Sequence, residues 1–268
     1  MKFSTLKQDA LLCIKNHLGT VLGTAILFTI INIMFSLSLS TFVDDQGVLQ
    51  GAGILVYFIM MIVMLPLSAG MINTMVQISN NKKVPVTDFI TFSVKNFFKI
   101  WGIFIRIMIE SIIISLVAAL ITFVIVYLLT LMSLYNATFS QITAIVFYLI
   151  FIIAVVIRIL PYYFGFFILS EDSSKKVKDV VKESKEKFKG HLIDFILLFV
   201  SFLGWAILFK LVEAIAFMFV PYIVYYLISF LPTILLTPYI TATQYAFYEN
   251  VASDTKVKVE PKKVAEEE

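Results

Sequence analysis

All but three of the 21 Lys and Arg residues of this 268-residue chain fall in four stretches outside the long apolar runs. They are Lys2, Lys7 and Lys15; Lys82, Lys83, Lys95 and Lys99; Lys175, Lys176, Lys178, Lys182, Lys185, Lys187 and Lys189; and Lys256, Lys258, Lys262 and Lys263. Two apolar runs separate each stretch from the next. The connections that join the runs of each pair, around Asp44 and Asp45, from Tyr135 to Ser140, and between Phe219 and Thr233, contain neither Lys nor Arg. Basic residues flanking membrane helices are retained on the cytoplasmic side, so this alternation predicts six crossings with the N-terminus and the C-terminus both cytoplasmic, in a cell membrane.

Composition points the same way. Hydrophobic residues make up 60% of the chain, 26 of them Phe, and the mean hydropathy is +0.96. Soluble domains hold about 45–50% apolar residues, so a water-soluble fold is excluded. The formal net charge of +3 hides a sharp partition, because the basic groups gather where anionic lipids of the inner leaflet attract them. The bilayer and its anionic lipids are thus the expected partners, and nucleic acid is not needed to explain the charge. Cys13 is the only cysteine, which removes an internal disulfide, a CxxC pair and a cysteine metal cage. It reads as a small apolar residue on a helix.

The predicted spans are 19–42, 53–78, 101–132, 141–170, 192–212 and 222–247, within one membrane domain over residues 1–250. Most exceed the roughly 20 residues that cross the hydrocarbon, which implies tilt or kinks. The first run is longer than a signal-peptide core and lacks a convincing cleavage site, so it reads as a retained helix. Pro221, Pro232 and Pro238 interrupt the last apolar stretch and leave its boundaries loose. The tail, residues 251–268, has no aromatic residue and ends in three glutamates, and reads as disordered.

Three segments facing the cytoplasm have amphipathic spacing. Val177, Val180, Val181 and Phe188 recur at helical intervals among Lys and Glu, with Gly190 where a helix C-cap belongs. Leu6, Ala10, Leu11, Cys13 and Ile14 before the first span, and Phe89, Phe92, Phe97 and Phe98 before the third, suggest similar interfacial helices. A faint repeat runs through the second, fourth and sixth spans: Pro66 with Gly70, Pro161 with Gly165, and Pro238 with Ala242, each pair four residues apart. Three helical hairpins in parallel orientation is one reading of it, and chance recurrence of Pro and small residues, common in membrane helices, is the other.

The charges left inside apolar runs are the candidates for function, since each costs roughly 2–3 kcal/mol to insert unless paired or hydrated. Counted at about 1.5 Å per residue, Glu110 lies roughly 14 Å from one end of its span and Arg158 roughly 18 Å from one end of its own, so they are expected to meet near the midplane. Arg106, four residues before Glu110, shares its helix face. Arg106, Glu110 and Arg158 form either an ion cluster that fixes packing or a site for an anionic group or a moving proton. Lys210 and Glu213, spaced i, i+3, read as a local surface pair. His17, His191 and Asp194 are not at metal-ligand spacing, and Asn136-Ala137-Thr138, a glycosylation sequon, reads as accidental. The chain contains no Walker loop, no HExxH and no GxSxG with a plausible triad. No catalytic residue, cofactor or metal is expected.

Ser184, Phe188, Lys189, Gly190 and His191, the string SFLGW from Ser201 to Trp205, Pro238-Tyr239 and the terminal AFYEN from Ala246 to Asn250 together resemble the bacterial integral-membrane family called domain of unknown function 975. Leu65-Pro66-Leu67, Gly70 and Asp88-Phe89 resemble its earlier half, so the likeness spans about residues 15 to 250. The sequence departs from the family pattern at Phe188, where methionine is frequent, and in a longer distance from Trp205 to Pro238. The resemblance implies a multi-pass bacterial membrane protein and supplies no catalytic residues. Gly204 and Trp205 read as packing residues, and Tyr239 and Tyr248 as interface anchors. The resulting expectation is an all-α, six-span polytopic membrane protein that handles a small amphiphile, lipid or peptide without enzymatic chemistry, as a transporter-like or protective component. The alternative is a scaffold or accessory subunit bound to another membrane protein, and a lipid-modifying enzyme has the least support.

Overall fold

The structure, a computed structural model, describes residues 3–44, 50–131 and 137–259. Its helices are α1 (Phe3–Asn16), α2 (Leu18–Ser40), α3 (Gly51–Ser79), α4 (Asp88–Lys95), α5 (Phe97–Leu131), α6 (Ala137–Ile159), α7 (Phe164–Glu171), α8 (Val177–Phe188), α9 (Leu192–Val200), α10 (Leu203–Phe219), α11 (Tyr222–Ile228) and α12 (Thr237–Val259). A 3-10 turn, Leu160–Tyr162, joins α6 to α7, and a π-helical turn, Pro232–Leu236, leads into α12. The described residues contain no strand. Among the described residues, six stretches are long and apolar enough to cross a membrane: Leu18–Ser40, Gly51–Ser79, Phe97–Thr130, Phe151–Glu171, Leu192–Phe219 and Val224–Ser253. The fold is an all-α, multi-pass membrane architecture.

The last two spans are longer than expected, reaching Phe219 and Ser253. Residues 251–259, expected to be disordered, continue α12, because neither Gly nor Pro interrupts the chain until Pro261. Residues 260–268 and Asn136 of the sequon lie outside the described residues.

Helix ends follow local chemistry. α3 stops at Asn80 and Asn81: Asn81 takes φ +56°, its N–H bonds to the Ile78 carbonyl, and the Lys82 N–H reaches back to that of Gln77. This is the Schellman arrangement, which satisfies carbonyls the helix leaves open. Gly190, past the end of α8, takes φ +88°, a conformation that disfavours a side chain.

Prolines in the spans create open carbonyls, and in hydrocarbon each needs a partner. Pro66 sits inside α3 and cannot donate to the Ile62 carbonyl; the Trp101 indole N–H of α5 does so instead, at 3.3 Å. Pro161 breaks its span into α6 and α7. The carbonyls of both prolines accept a serine hydroxyl from the short helix that follows, Ser93 of α4 for Pro66 and Ser184 of α8 for Pro161. Gly70 permits the first contact, since a Cβ there would strike the Phe89 carbonyl and the Ser93 hydroxyl. At Gly165 the would-be Cβ meets Val180 at 3.5 Å. Thus α4 packs on α3, α8 on α7, and α1 on α12.

Burial is concentrated at the end of the molecule that carries the lysines, here called the basic end. From Pro66 to Ile78, α3 is mostly buried, whereas before Pro66 only Gly53 is. α5 buries Ile100 and Ile103 and then only Ala118. The core joins Phe164, Phe167, Phe188, Phe195, Tyr245, Phe247 and Tyr248 with Leu6 of α1 and Val180 of α8, and Phe92 of α4 packs against it, so all three short helices contribute to it.

Candidate functional site

Glu110 lies on α5 with Tyr162 and Lys185 as its partners. Its Oε1 accepts from the Tyr162 hydroxyl at 2.8 Å and from the Lys185 ammonium at 3.1 Å. Lys185 also stands 4.4 Å from the centre of the Tyr162 ring. The sequence explains how α8 brings Lys185 there. Val180, Val181, Ser184 and Phe188 occupy one helix face and are buried, and Ser184 ties that face to Pro161. Gly102 lets the start of α8 approach α5, where a Cβ would come 3.0 Å from Val177. Burial opposes the charge on Lys185, but Tyr162 and Glu110 together hold its ammonium above the ordinary lysine value.

This grouping differs from the expected Arg106, Glu110, Arg158 cluster. Arg106 is exposed and forms no salt bridge or side-chain hydrogen bond with a described residue. Arg158 is exposed in the last turn of α6 and likewise forms none, though it stands close enough to Glu110 to act on it electrostatically. The reason lies in helix length: α5 has 35 residues, about 52 Å, well beyond the roughly 30 Å of hydrocarbon. Its first turns run beside α4 and α8, so Glu110 meets the short helix α8.

A cleft of about 270 Å³ opens beside this group. Arg158, Lys185 and Lys189 bring three cations to it, and Ile157, Phe188 and Leu192 supply apolar walls. Lys189 forms no salt bridge with a described residue, while Asp194, the nearest acid along α9, turns to His191 at 3.9 Å. A concave site with convergent cations and an apolar flank suits an anionic group attached to a hydrocarbon body.

A second polar network closes the basic end. Glu171, ending α7, accepts from Tyr245 at 3.0 Å and Tyr248 at 2.8 Å, both on α12. Lys187 donates to Tyr248 at 2.7 Å and pairs with Glu183 at 2.9 Å, and Glu183 also holds Lys175 at 2.6 Å. Burial raises the Glu183 carboxyl, but bonds from Lys175 and Lys187 outweigh it and leave it below the usual carboxylate range. Asn80 joins α3 to the network through Tyr245. A third chain runs from Asp88 to Asn73 at 2.9 Å and on to Gln77, which donates to the Ser170 carbonyl. Burial lifts the Asp88 carboxyl above its ordinary value, partly offset by Asn73. Every buried side-chain N and O among the described residues has a partner. No group of three His, Cys, Asp or Glu among them is placed to hold a metal.

The SFLGW string marks a break. α9 ends at Val200 and α10 begins at Leu203. Lys7 of α1 donates to the Ser201 carbonyl at 2.9 Å and lies 4.3 Å from the Phe202 ring centre. A cation there complements the negative end of α9. Tyr239, of the Pro238-Tyr239 pair, packs edge-on against Phe202 at 5.4 Å. Pro238 is buried in the first turn of α12. Gly204 and Trp205, expected to pack, face outward: Trp205 is half-exposed, and a Cβ at Gly204 would meet nothing within 4 Å. Tyr248, expected as an interface anchor, is buried as the hub of the second network. Ser201 and Phe202 of SFLGW, Tyr239 of PY and Phe247 of FYEN are the positions that join α1, α9 and α12. The chain belongs to the DUF975 family. The model of that family, described as "Protein of unknown function (DUF975)", matches residues 4–255. No curated protein and no solved structure matches the chain. The DUF975 match therefore covers α1, the six spans and almost all of α12, the elements that build both polar networks and the cleft.

Lys185 and Tyr162 escaped sequence reasoning. Lys185 is one of seven lysines in its stretch, and only the helical phase of α8 distinguishes it, one step past the buried Ser184. Tyr162 follows Pro161 directly, a position whose direction depends on the 3-10 turn. Tyr245 and Tyr248 had a usable signal, their i, i+3 spacing, which puts both on one face of α12.

Proposed function

We propose that this DUF975 protein is a non-enzymatic component of the cell membrane, with its basic end cytoplasmic, that binds a small anionic amphiphile, lipid or peptide, in a transporter-like or protective role. The observation that carries this reading is the cleft in which Arg158, Lys185 and Lys189 converge beside Ile157, Phe188 and Leu192. Thermal unfolding in mild detergent with short-chain phosphatidylglycerol, against phosphatidylcholine of equal chain length, tests it. The anionic lipid is expected to raise Tm more, and Arg158→Gln to remove the difference; equal shifts from both lipids would sink the reading. Glu110→Gln separates function from packing, since a packing role predicts loss of membrane abundance and a binding role predicts normal abundance with altered lipid preference.

A second reading, an accessory subunit of another membrane complex, draws on α5, which beyond Ile103 buries only Ala118. Crosslinking from the exposed side of α5 in intact membranes tests it: crosslinks to one defined protein support it, and crosslinks to lipid alone count against it.

A further inference from the structure

Resting on the proposed anionic-amphiphile site, we infer that its ligand is a lipid whose headgroup is a phosphate monoester carrying two negative charges. Three cations line the cleft, and Lys185 alone among them has a carboxylate partner, Glu110, at 3.1 Å. Arg158 and Lys189 form no salt bridge with a described residue, so the cleft holds two positive charges in excess. A phosphate monoester carries about −1.5 to −2 at neutral pH and matches that excess, whereas a phosphodiester carries one charge and leaves a cation unanswered. The guanidinium of Arg158 offers paired donors that fit phosphate oxygens, and Lys185 and Lys189 add point charges from the other wall.

The shape limits the ligand as well. About 270 Å³ lies just below the range of roughly 300–1,000 Å³ that encloses drug-sized molecules, enough for a headgroup and too little for two acyl chains. The chains have an exit, because Ile157 in the cleft wall, Ile153 one turn earlier on α6, and Ile193 on α9 are all exposed. The headgroup sits between α6 and the Phe188–Leu192 turn while the chains run along α6 into the bilayer.

The test is binding to the full chain in mild detergent, read as Tm shift and as Kd, with dioctanoyl phosphatidic acid, dioctanoyl phosphatidylglycerol, dioctanoyl phosphatidylcholine and glycerol phosphate. Phosphatidic acid is expected to bind about tenfold more tightly than phosphatidylglycerol, the worth of one further charge-assisted contact. Phosphatidylcholine and glycerol phosphate are expected to bind least. Lys189→Gln, on an exposed side chain, is expected to abolish the preference for the monoester while its unliganded Tm stays that of the parent. If phosphatidylglycerol binds as well as phosphatidic acid, the monoester inference falls and the broader anionic reading survives. If phosphatidylcholine binds equally, both fall. Glycerol phosphate binding as tightly as phosphatidic acid would overturn the lipid assignment in favour of a soluble anion.

Discussion

The basic half of the molecule and the opposite half are built on different rules. At the basic end, aromatic rings meet at close range, Phe164 with Phe188 at 4.9 Å and Phe195 with Phe199 at 5.1 Å, and polar side chains knit α3, α4, α7, α8 and α12 together. At the other end α5 and α10 expose Ile, Leu, Val and Phe along nearly their whole length. Burying these chains against one another gains little in lipid, because hydrocarbon tails are as apolar as they are. The basic end, which borders water, has the hydrophobic effect and hydrogen bonds available to it, and there the fold is specified.

The largest expected effect breaks this contrast directly. Phe164→Ala removes a fully buried ring and should cost about 3–5 kcal/mol, whereas Phe123→Ala, on a 68% exposed side chain, should stay within about 0.5 kcal/mol. Melting both variants in the same detergent checks it; equal losses would place the core elsewhere. Next comes glycine: Gly70→Ala drives a methyl group into the Phe89 carbonyl and should cost about 1–3 kcal/mol, while Gly204→Ala should cost nothing measurable at a site with open space. Lys7→Met removes the cap on the break in the fifth span and should cost about 1 kcal/mol, with faster hydrogen exchange at the start of α10. A smaller effect sharpens the picture within the basic end, where α4 and α8 occupy comparable places. The depressed Glu183 carboxyl contributes stability that is present above its unfolded value of about 4.3 and is lost as pH falls through the folded value. The raised Asp88 carboxyl works oppositely, losing stability as pH rises from its unfolded value of about 3.9 through the folded one. Acidification towards about pH 4 should therefore firm α4 first, and further acidification should loosen α8 in hydrogen exchange; parallel responses would refute the assignment.

Much of the fold was legible because its causes are local. The four lysine stretches separate the spans, Gly190 marks the end of α8, and the spacing of Val180, Val181 and Phe188 marks its buried face. The candidate site was legible only in part. Glu110 and Arg158 stood out as charges in apolar runs, but their expected common depth assumed that the spans begin at the membrane surface. The 35-residue α5 and the break at Pro161 instead set Glu110 beside α8, and Lys185, one lysine among seven, takes the place expected of Arg106.

Hydropathy and charge order along the chain determined by themselves that it is all-helical, that it carries six segments long and apolar enough to cross a membrane and where its lysines gather, because transfer into hydrocarbon is an additive property of each segment. Which lysine reaches Glu110, which tyrosines close on Glu171 and which three cations share a cleft were decided only by tertiary structure. Those contacts depend on the rotation and docking of short helices, which a serine on a proline carbonyl and a glycine without a side chain help to set.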